Sequence, residues 1–346
     1  MTLDTITAVI PVYNKEAYVA RAIQSVLGQV RPVDEIIIVD DGSTDRSRNK
    51  IELFQDTRIR VLRSTAPASG PSHARNQAIR AATSTWVAFL DADDMWHPGF
   101  IAEVEAILNQ AADQTGCVFT GWHNVWADGL ITVDKYSAEF HQQRPLQVDF
   151  DSFLAKWVAL RSCPMWTSAV AVRRDALLDT GLFPERCRRG EDKDTWLRVM
   201  SVTKAIRSSR PCSSYYRSTS AQLTRTCPLN VRHCLCPTLK RMISETSGRR
   251  RRLLMRLFNI EVFDYAIHVG QREHISPEMY RGFHIWLDPS RYCILLALTY
   301  IPVQIQKIVR SFILRLRVGL GRPSSKSHAS AVELAGKDQS TSLVDQ

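Results

Sequence analysis

The 346-residue chain has only 15 glycines and 15 prolines, and 45% of its residues are hydrophobic. The low glycine and proline content excludes collagen-like and low-complexity proteins, and the hydrophobic content excludes a wholly disordered chain. The start, MTLDTITAVIPVYN, lacks the apolar run of a secretory signal peptide, because polar residues recur along it. We therefore expect a protein of the reducing cytoplasm.

Disulfides, a zinc cluster and a membrane span are not expected either. The eight cysteines belong to a chain large enough to fold without disulfide staples, so most thiols are predicted to be small core residues. The spacing of Cys227, Cys234 and Cys236, with His233 between them, matches no zinc pattern. The apolar stretch before Pro302 has about a dozen residues, fewer than the roughly 20 of a spanning helix.

The sequence contains neither G-x-G-x-x-G nor G-x-x-x-x-G-K-[ST], so it has no dinucleotide fingerprint and no P-loop. Charge of one sign is also unevenly placed. Residues 1–200 contain 22 basic and 26 acidic residues, a net of −4, whereas 201–322 contain 21 basic and 6 acidic, a net of +15. The net charge of +10 therefore belongs to the C-terminal third.

The first 120 residues alternate between strand and helix patterns, which predicts an α/β fold with a mostly parallel sheet flanked by helices. The predicted strands cover residues 7–10, 35–39, 59–62 and 85–90, and the predicted helices include 15–29 and 73–82. Ligands of such sheets bind outside the carboxyl ends of the strands. The polar residues found at those ends are Tyr13, Asn14, Asp40, Asp41, Asp91, Asp93 and Asp94.

Three carboxylates within four residues, Asp91, Asp93 and Asp94, repel one another unless a cation lies among them. Mg²⁺ or Mn²⁺ uses one or two carboxylates and completes its shell with water and phosphate oxygens, which points to a nucleotide diphosphate. The alternative is a solvated acidic turn that caps the next helix.

Five segments together resemble the ordered motifs of family 2 glycosyltransferases, which are inverting enzymes of the GT-A fold that use nucleotide-activated sugars. The resemblance extends over about residues 5–200 and does not reach 220–346. The segments are VIPVYN (9–14), VDDGSTD (39–45), ARNQA (74–78), FLDADD (89–94) and GEDKDTWLR (190–198).

The resemblance implies a donor-binding role for the residues after the first two strands. Tyr13 matches the aromatic that packs on the nucleobase, and Pro11 and Asn14 belong to the same loop. Asp41, with Asp40 beside it, matches the acid that binds the uracil or ribose end, and a carboxylate can accept two such hydrogen bonds. The alternative for Asp40 and Asp41 is a turn with a helix cap.

The resemblance further implies a divalent metal, Mn²⁺ or Mg²⁺, at the D-x-D pair. Asp93 matches the direct ligand, and Asp91 faces the ribose or the metal. Arg75 matches a basic residue near the diphosphate, the alternative being a solvated helical arginine. Asp94 is predicted to cap the next helix, the alternative being a hydrogen-bond acceptor that supports the metal ligands.

In the resemblance, Glu191 and Asp192 correspond to the E-D motif, whose aspartate is the general base. Inverting transfer needs a carboxylate opposite the leaving group to deprotonate the attacking hydroxyl. Asp192 is therefore the predicted base, Glu191 orients it or contacts the acceptor, and Asp194 is predicted to be a surface charge or a helix-dipole partner. The Q-x-x-R-W block of processive members is absent, so transfer of one or a few sugars is expected.

Tryptophans are dense between the D-x-D and E-D segments, and Trp166 is assigned to the acceptor cleft, with core packing as the alternative. Beyond residue 249, apolar residues alternate with Lys and Arg. This pattern predicts a helix lying on an anionic membrane surface, or a helical region packed on the catalytic core. No nucleic-acid-binding motif accompanies the charge, so no nucleic-acid partner is expected.

These features predict a catalytic domain over 1–220, with 1–115 binding the nucleotide sugar and 116–220 the acceptor. A basic amphipathic helical region over 221–322 and a disordered tail over 323–346 follow. The expected function is metal-dependent, hexosyltransferase-like transfer from a nucleoside-diphosphate sugar, a UDP-sugar, to a saccharide or lipid-linked saccharide in cell-surface polysaccharide synthesis, at the inner face of the membrane. The alternative is a non-catalytic sugar-nucleotide-binding or membrane scaffold protein of the same fold.

Overall fold

The computed structural model describes residues 4–66, 68–112, 114–139, 144–185, 187, 189–217, 234–269, 275–301, 305–306 and 308–309. The strands are β1 Ile6–Val12, β2 Glu35–Asp40, β3 Ile59–Arg63, β4 Trp86–Phe89, β5 Met95–Trp96, β6 Thr115–Val125, β7 Ile131–Val133, β8 Leu146–Val148, β9 Val170–Arg173 and β10 Lys204–Tyr216. The helices are α1 Val19–Leu27, α2 Ser47–Glu52, α3 Pro71–Ala81, α4 Phe100–Leu108, α5 Lys135–Glu139, α6 Phe150–Leu160, α7 Arg174–Asp179, α8 Glu191–Val202, α9 Leu235–Glu245, α10 Gly248–Val269 and α11 Pro289–Tyr300.

The strands among the described residues form one sheet in the order β3-β2-β1-β4-β9-β6-β10-β5, with β7 beside β6 and β8 beside β10. Strands β3, β2, β1 and β4 run parallel to one another, and β10 is parallel to β6. Strand β9 is antiparallel to both of its neighbours, β4 and β6. The predicted mostly parallel sheet flanked by helices is therefore confirmed.

The central strands are buried on both faces, as the continuous β-branched run of β2 predicts. Ile37 and Val39 face one hydrophobic core, whereas Ile36 and Ile38 face the other. Helices α1, α2 and α4 cover the second core, and α3 together with α6 to α11 covers the first. This layering leaves the carboxyl ends of β1, β2 and β4 at one edge of the sheet.

A proline inside a central strand has no N–H and normally removes one hydrogen bond of the sheet. Pro11 in β1 removes none, because the neighbouring strand β4 ends before it. The carbonyl of Val9 accepts a hydrogen bond from Leu90 N–H (3.0 Å) on the β4 side. Because backbone groups alternate sides along a strand, the nitrogen of Pro11 also faces that side, where β4 has already ended at Phe89. Pro11 therefore marks the opening beyond β4.

The long strands β6 and β10 are not predicted by the sequence patterns. Their sequences, TGCVFTGWHNV and KAIRSSRPCSSYY, mix small, polar and charged residues and do not alternate regularly. Their pairing with each other includes a register shift at Pro211. Contacts between distant segments, rather than local propensity, establish this half of the sheet.

Helices α9, α10 and α11 pack on the core of the sheet, as one of the two alternatives for the basic region predicts. Leu235, Leu257, Phe258, Phe263 and Leu295 join the same buried cluster as the sheet. Among the described residues, no helix is both long and apolar enough to cross a bilayer. The predicted disordered tail and residues 310–322 lie outside the described residues.

The expectation that the chain uses no disulfide is wrong for one pair. Cys187 and Cys234 form a disulfide, with their Cα atoms 5.7 Å apart. The pairing links the loop before α8 to the start of α9, two segments brought together only by the fold. Cys117, Cys163 and Cys212 are buried free thiols, as predicted for most of the cysteines.

Candidate active site

The loops after β1 and β2 are fastened to each other by Asn14. Its backbone has a positive φ of 51°, a conformation that asparagine tolerates better than most residues. Its Oδ1 accepts a hydrogen bond from Thr44 N–H (2.8 Å), and its own N–H donates to Ser43 Oγ (3.1 Å). Asn14 thus shapes the predicted donor loop through contacts within the protein. Tyr13, which directly precedes Asn14, is 41% exposed.

Asp40 and Asp41 differ in how their oxygens are used. Asp40 Oδ1 accepts a hydrogen bond from Ser43 N–H (2.9 Å), which closes the turn after β2. Asp41 Oδ2 accepts from Gly70 N–H (2.8 Å), but its Oδ1 is buried and has no hydrogen-bond partner among the described residues. An unmet buried acceptor is costly, so this oxygen is the one available to a donor group of a ligand.

Arg75 links the D-x-D segment to the E-D segment. It lies on α3 and is 4% exposed. Its Nη2 lies 2.5 Å from Asp91 Oδ1, and its Nη1 lies 3.6 Å from Glu191 Oε1. The solvated-arginine alternative is therefore wrong. The two nearby carboxylates raise the pKa of Arg75 despite its burial, so the guanidinium remains charged at this junction.

The neighbouring Asn76 fixes the loop that leads into α8. Its Nδ2 donates to Phe183 O (2.8 Å) and to Glu185 Oε1 (2.9 Å), and its Oδ1 accepts from Phe183 N–H (2.9 Å). Arg75 and Asn76 together hold the start of α8 against the end of β4. The A-R-N segment is thus the physical connection between the two acidic motifs.

Glu191 and Asp192 occupy the first turn of α8, directly after Gly190, whose φ of 76° favours glycine. Burial and the adjacent Asp192 charge raise the pKa of Glu191 to about 7, although Arg75 opposes the shift. One oxygen of Asp192, Oδ1, accepts a hydrogen bond from Lys193 N–H (2.7 Å).

Asp93 has basic partners that the sequence patterns do not single out. Lys15 Nζ lies 2.7 Å from Asp93 Oδ2, and Arg21 Nη2 donates to the Asp93 carbonyl (2.6 Å). Lys15 directly follows the Tyr13-Asn14 pair, which is the signal that could have indicated it. Nothing in the local sequence distinguishes Arg21, because it contacts a residue 72 positions further along the chain.

Asp94 does not cap the next helix, which corrects that prediction. Helix α4 begins after Gly99 with no side-chain cap. Asp94 is buried, and its Oδ2 accepts hydrogen bonds from Ser168 Oγ (2.6 Å) and Trp166 Nε1 (3.1 Å). Burial is the main cause that raises the pKa of Asp94 well above its ordinary value, and the negative charges of Asp91 and Asp93 raise it further. The short strand β5 separates Asp94 from α4, so the carboxylate turns inward.

Trp166 lies beside the D-x-D turn within an aromatic group. Its ring centroid is 4.1 Å from that of Tyr215 and 6.2 Å from that of Trp122. The indole N–H is used by Asp94, and the side chain is only partly buried. The assignment of Trp166 to the acceptor cleft stays a prediction.

Of the two alternatives for Asp194, the surface charge is wrong, whereas its place in the first turn of α8 agrees with a helix-dipole partner. Asp194 is 3% exposed, its Oδ2 accepts from Arg198 Nε (2.8 Å), and its Oδ1 accepts from the Thr238 hydroxyl. Next to it, Lys193 Nζ lies 2.9 Å from Glu261 Oε2. Thr238 is on α9 and Glu261 on α10, so the C-terminal helices contact α8 directly beside the E-D motif.

Comparison with known proteins identifies the family. The model of the Glycosyl transferase family 2 matches residues 7–146. The chain is 38% identical over 218 residues to the Escherichia coli UDP-Glc:alpha-D-GlcNAc-diphosphoundecaprenol beta-1,3-glucosyltransferase WfgD, covering 62% of this chain and 78% of that protein. The chain belongs to glycosyl transferase family 2. The chain spans 30% to 52% of the length of three other curated relatives that it matches.

Two solved structures share the fold. Residues 1–349 of Staphylococcus aureus TarS, in complex with UDP-GlcNAc, align with a TM-score of 0.62 and 15% identity over 90% of this chain and 92% of that one. The Pyrobaculum calidifontis mannosyltransferase PcManGT, in complex with GDP-Man and Mn²⁺, aligns with a TM-score of 0.52 and 17% identity over 91% of this chain and 86% of that one. The predicted GT-A fold is confirmed.

The family implies a divalent metal, and the residues present fit one. Among the described residues, no group of three or more His, Cys, Asp or Glu side chains could hold a metal. Two carboxylates, Asp91 and Asp93, suffice where phosphate oxygens complete the shell. Burial and the Asp93 charge raise the pKa of Asp91 even though Arg75 opposes the shift. A dication would relieve this crowding of negative charge.

Proposed function

We propose that this family 2 chain transfers a sugar from a nucleoside-diphosphate sugar to a saccharide hydroxyl, with inversion at the anomeric carbon. The observation that supports the proposal best is the pairing of buried Arg75 with both Asp91 and Glu191. Through it, the predicted diphosphate end of the donor site adjoins the predicted base. A scaffold protein would not need this arrangement.

Asp192 is the proposed base. It takes the proton of the acceptor hydroxyl while that oxygen attacks the anomeric carbon, on the face opposite the departing nucleoside diphosphate. Its position in the first turn of α8 places the carboxylate at the positive end of the helix dipole. The pKa of Glu191 is raised to about 7, so this side chain can either accept a hydrogen bond from the acceptor saccharide or donate one to it. Glu191 also orients Asp192.

On the donor side, Tyr13 packs on the nucleobase of the donor, and Asp41 Oδ1 accepts a hydrogen bond from the uracil or the ribose. Asp93 and Asp91 would hold Mn²⁺ or Mg²⁺, which when bound neutralises charge on the leaving diphosphate. Lys15 and Arg75 balance the same two carboxylates within the protein. Pro11, Asn14 and Asp40 shape this pocket.

The finer assignments rest on the relatives. TarS was solved with UDP-GlcNAc, and the name of WfgD gives UDP-Glc as donor and a diphosphoundecaprenol-linked saccharide as acceptor. We accordingly assign this chain a UDP-sugar, a lipid-linked saccharide acceptor, and a place in cell-surface polysaccharide synthesis at the inner membrane face. Trp166 lies on the proposed acceptor side.

The proposal is tested by donor turnover with a panel of UDP-, GDP- and dTDP-sugars, with Mn²⁺ and with a chelator. One donor is expected to be hydrolysed or transferred only with the metal. Asp192→Asn should abolish turnover but not nucleotide binding, whereas Asp179→Asn, at an exposed aspartate ending α7, should leave both unchanged. Binding of a donor without turnover of any donor would favour the non-catalytic alternative. Full activity of the Asp192→Asn variant would exclude Asp192 as the base.

A further inference from the structure

Helix α11 has an apolar face on its outer side. Its inner side chains, Leu295 and Leu298, are buried in the core. Away from that side Leu296 is 37% exposed and Tyr300 79%, and Ile294, at the flank of the helix, is 38% exposed. No charged residue follows Arg291 in this helix, whereas a helix facing only water presents polar residues outward.

The turn before this helix adds a tryptophan in full contact with solvent. Trp286 is 97% exposed, and Ile285 beside it is 41% exposed. The turn is held from below by buried Asn259, whose Oδ1 accepts from His284 N–H (2.7 Å) and whose Nδ2 donates to His284 O (2.9 Å). Trp286 is therefore presented outward by a fixed turn and not by a frayed end.

Arginines lie directly next to this turn. A cavity between α6, α10 and the turn is lined by Arg161, Arg256, Arg291, Asp288, Val158, Ile260 and Leu287. Asp288 pairs with Arg291 (2.5 Å), which leaves a net positive charge around the opening. Leu287 and Asp288, which line this cavity, directly follow Trp286, so the cavity adjoins the turn that presents the exposed indole.

We propose that the Trp286 surface (Ile285, Trp286, Ile294, Leu296 and Tyr300 with Arg161 and Arg256) binds the headgroup region of an anionic phospholipid bilayer. Indole and phenol rings favour the membrane interface, where one end is apolar and the other hydrated. Arginines beside them attract lipid phosphates. The charge complementarity favours a membrane over an apolar protein partner.

In this arrangement the protein lies on the bilayer and does not cross it. The apolar side chains enter the interface, while the opposite side of α11 stays packed on the catalytic core. The inference rests on the proposed function only in that a lipid-linked acceptor would be supplied at the same surface. Lipid binding itself requires no catalytic residue.

Flotation of the full chain with phosphatidylcholine vesicles, with and without phosphatidylglycerol, tests the proposal. The wild type should float with the anionic vesicles and much less with the neutral ones. Trp286→Ser should weaken partition about tenfold, and the Arg161→Gln/Arg256→Gln double variant roughly 30-fold. The matched controls Leu53→Ser, at a residue 74% exposed, and Arg46→Gln, with a side chain 83% exposed, should bind as the wild type.

Donor turnover without vesicles and the unfolding temperature separate this proposal from the proposed function, since all the surface variants should retain both. Absence of wild-type binding to anionic vesicles, or equal binding by the variants and the controls, would overturn the membrane assignment. A wild-type dimer in light scattering that Trp286→Ser converts to a monomer, with vesicle binding unchanged, would assign the surface to a second copy instead.

Discussion

Replacing Glu261 by glutamine should loosen the start of α8 without touching the proposed donor site. The Lys193 ammonium lies 3.1 Å from Oε1 and 2.9 Å from Oε2 of Glu261, and the side chains are 30% and 4% exposed. Burial lowers the pKa of Lys193, but the Glu261 charge outweighs it, so the pKa lies above its usual value. The ammonium form of Lys193 therefore contributes stability at neutral pH, and this contribution is lost as the pH rises through the raised pKa.

Breaking a fully buried ion pair costs about 3–5 kcal/mol. Because Lys193 is partly exposed and can turn toward water, we expect a loss of about 2 kcal/mol of unfolding free energy for Glu261→Gln. At this chain length that corresponds to a fall of roughly 3 °C in the unfolding temperature. Glu245→Gln, at an exposed glutamate ending α9, should leave that temperature unchanged.

The same variant tests whether the C-terminal helices position the predicted base. Lys193 adjoins Asp192 in the chain, so a shift of Lys193 should lower kcat for transfer while the KM for the donor stays unchanged. A double-mutant cycle with Lys193→Gln should give a coupling of about 2 kcal/mol in unfolding free energy. A coupling below about 0.5 kcal/mol, or an unaltered kcat in a destabilised variant, would refute this reasoning.

Three further predictions concern the candidate active site. Arg75→Met should lower kcat at least about 100-fold and destabilise the fold, because it leaves Asp91 and Glu191 without their shared cation. The control variant Arg80→Met, at a largely exposed residue of the same helix, should change neither kcat nor stability. Asp41→Asn should weaken UDP binding in calorimetry about 10- to 100-fold, since the single amide oxygen is needed by Gly70 N–H and the buried position of Oδ1 becomes a donor. Without metal, the wild type should lose about 3 kcal/mol of unfolding free energy relative to Glu191→Gln between about pH 4.5 and pH 7, because the folded state holds the Glu191 proton more tightly than the unfolded state.

Each of the three has a result that would contradict it. An Arg75→Met protein that turns over donor like the wild type would show that the bridge is not needed for catalysis. Unchanged UDP affinity in Asp41→Asn would remove the buried oxygen from the donor site. Parallel pH–stability curves for the wild type and Glu191→Gln would mean that the carboxyl titrates in its ordinary range.

The sequence by itself determined the parallel half of the sheet and the family. Strands β1 to β4 are short β-branched runs separated by helical periodicity, and both signals are local. The motifs at the strand ends are local as well, so the candidate residues from Tyr13 to Asp192 could be named. Their convergence followed from the rule that parallel strands end at one edge.

Only the tertiary structure decided which partners these residues have. Asp94 faces Ser168 and Trp166 and caps no helix, and Asp194 meets Thr238 and is no surface charge. Arg75 is charged and buried because α3 places it between two acidic segments. Burial and ion pairing depend on residues far apart in the chain, and no local pattern encodes them. The C-terminal helices likewise share the catalytic core because their apolar faces meet it, while their excess of positive charge stays outside.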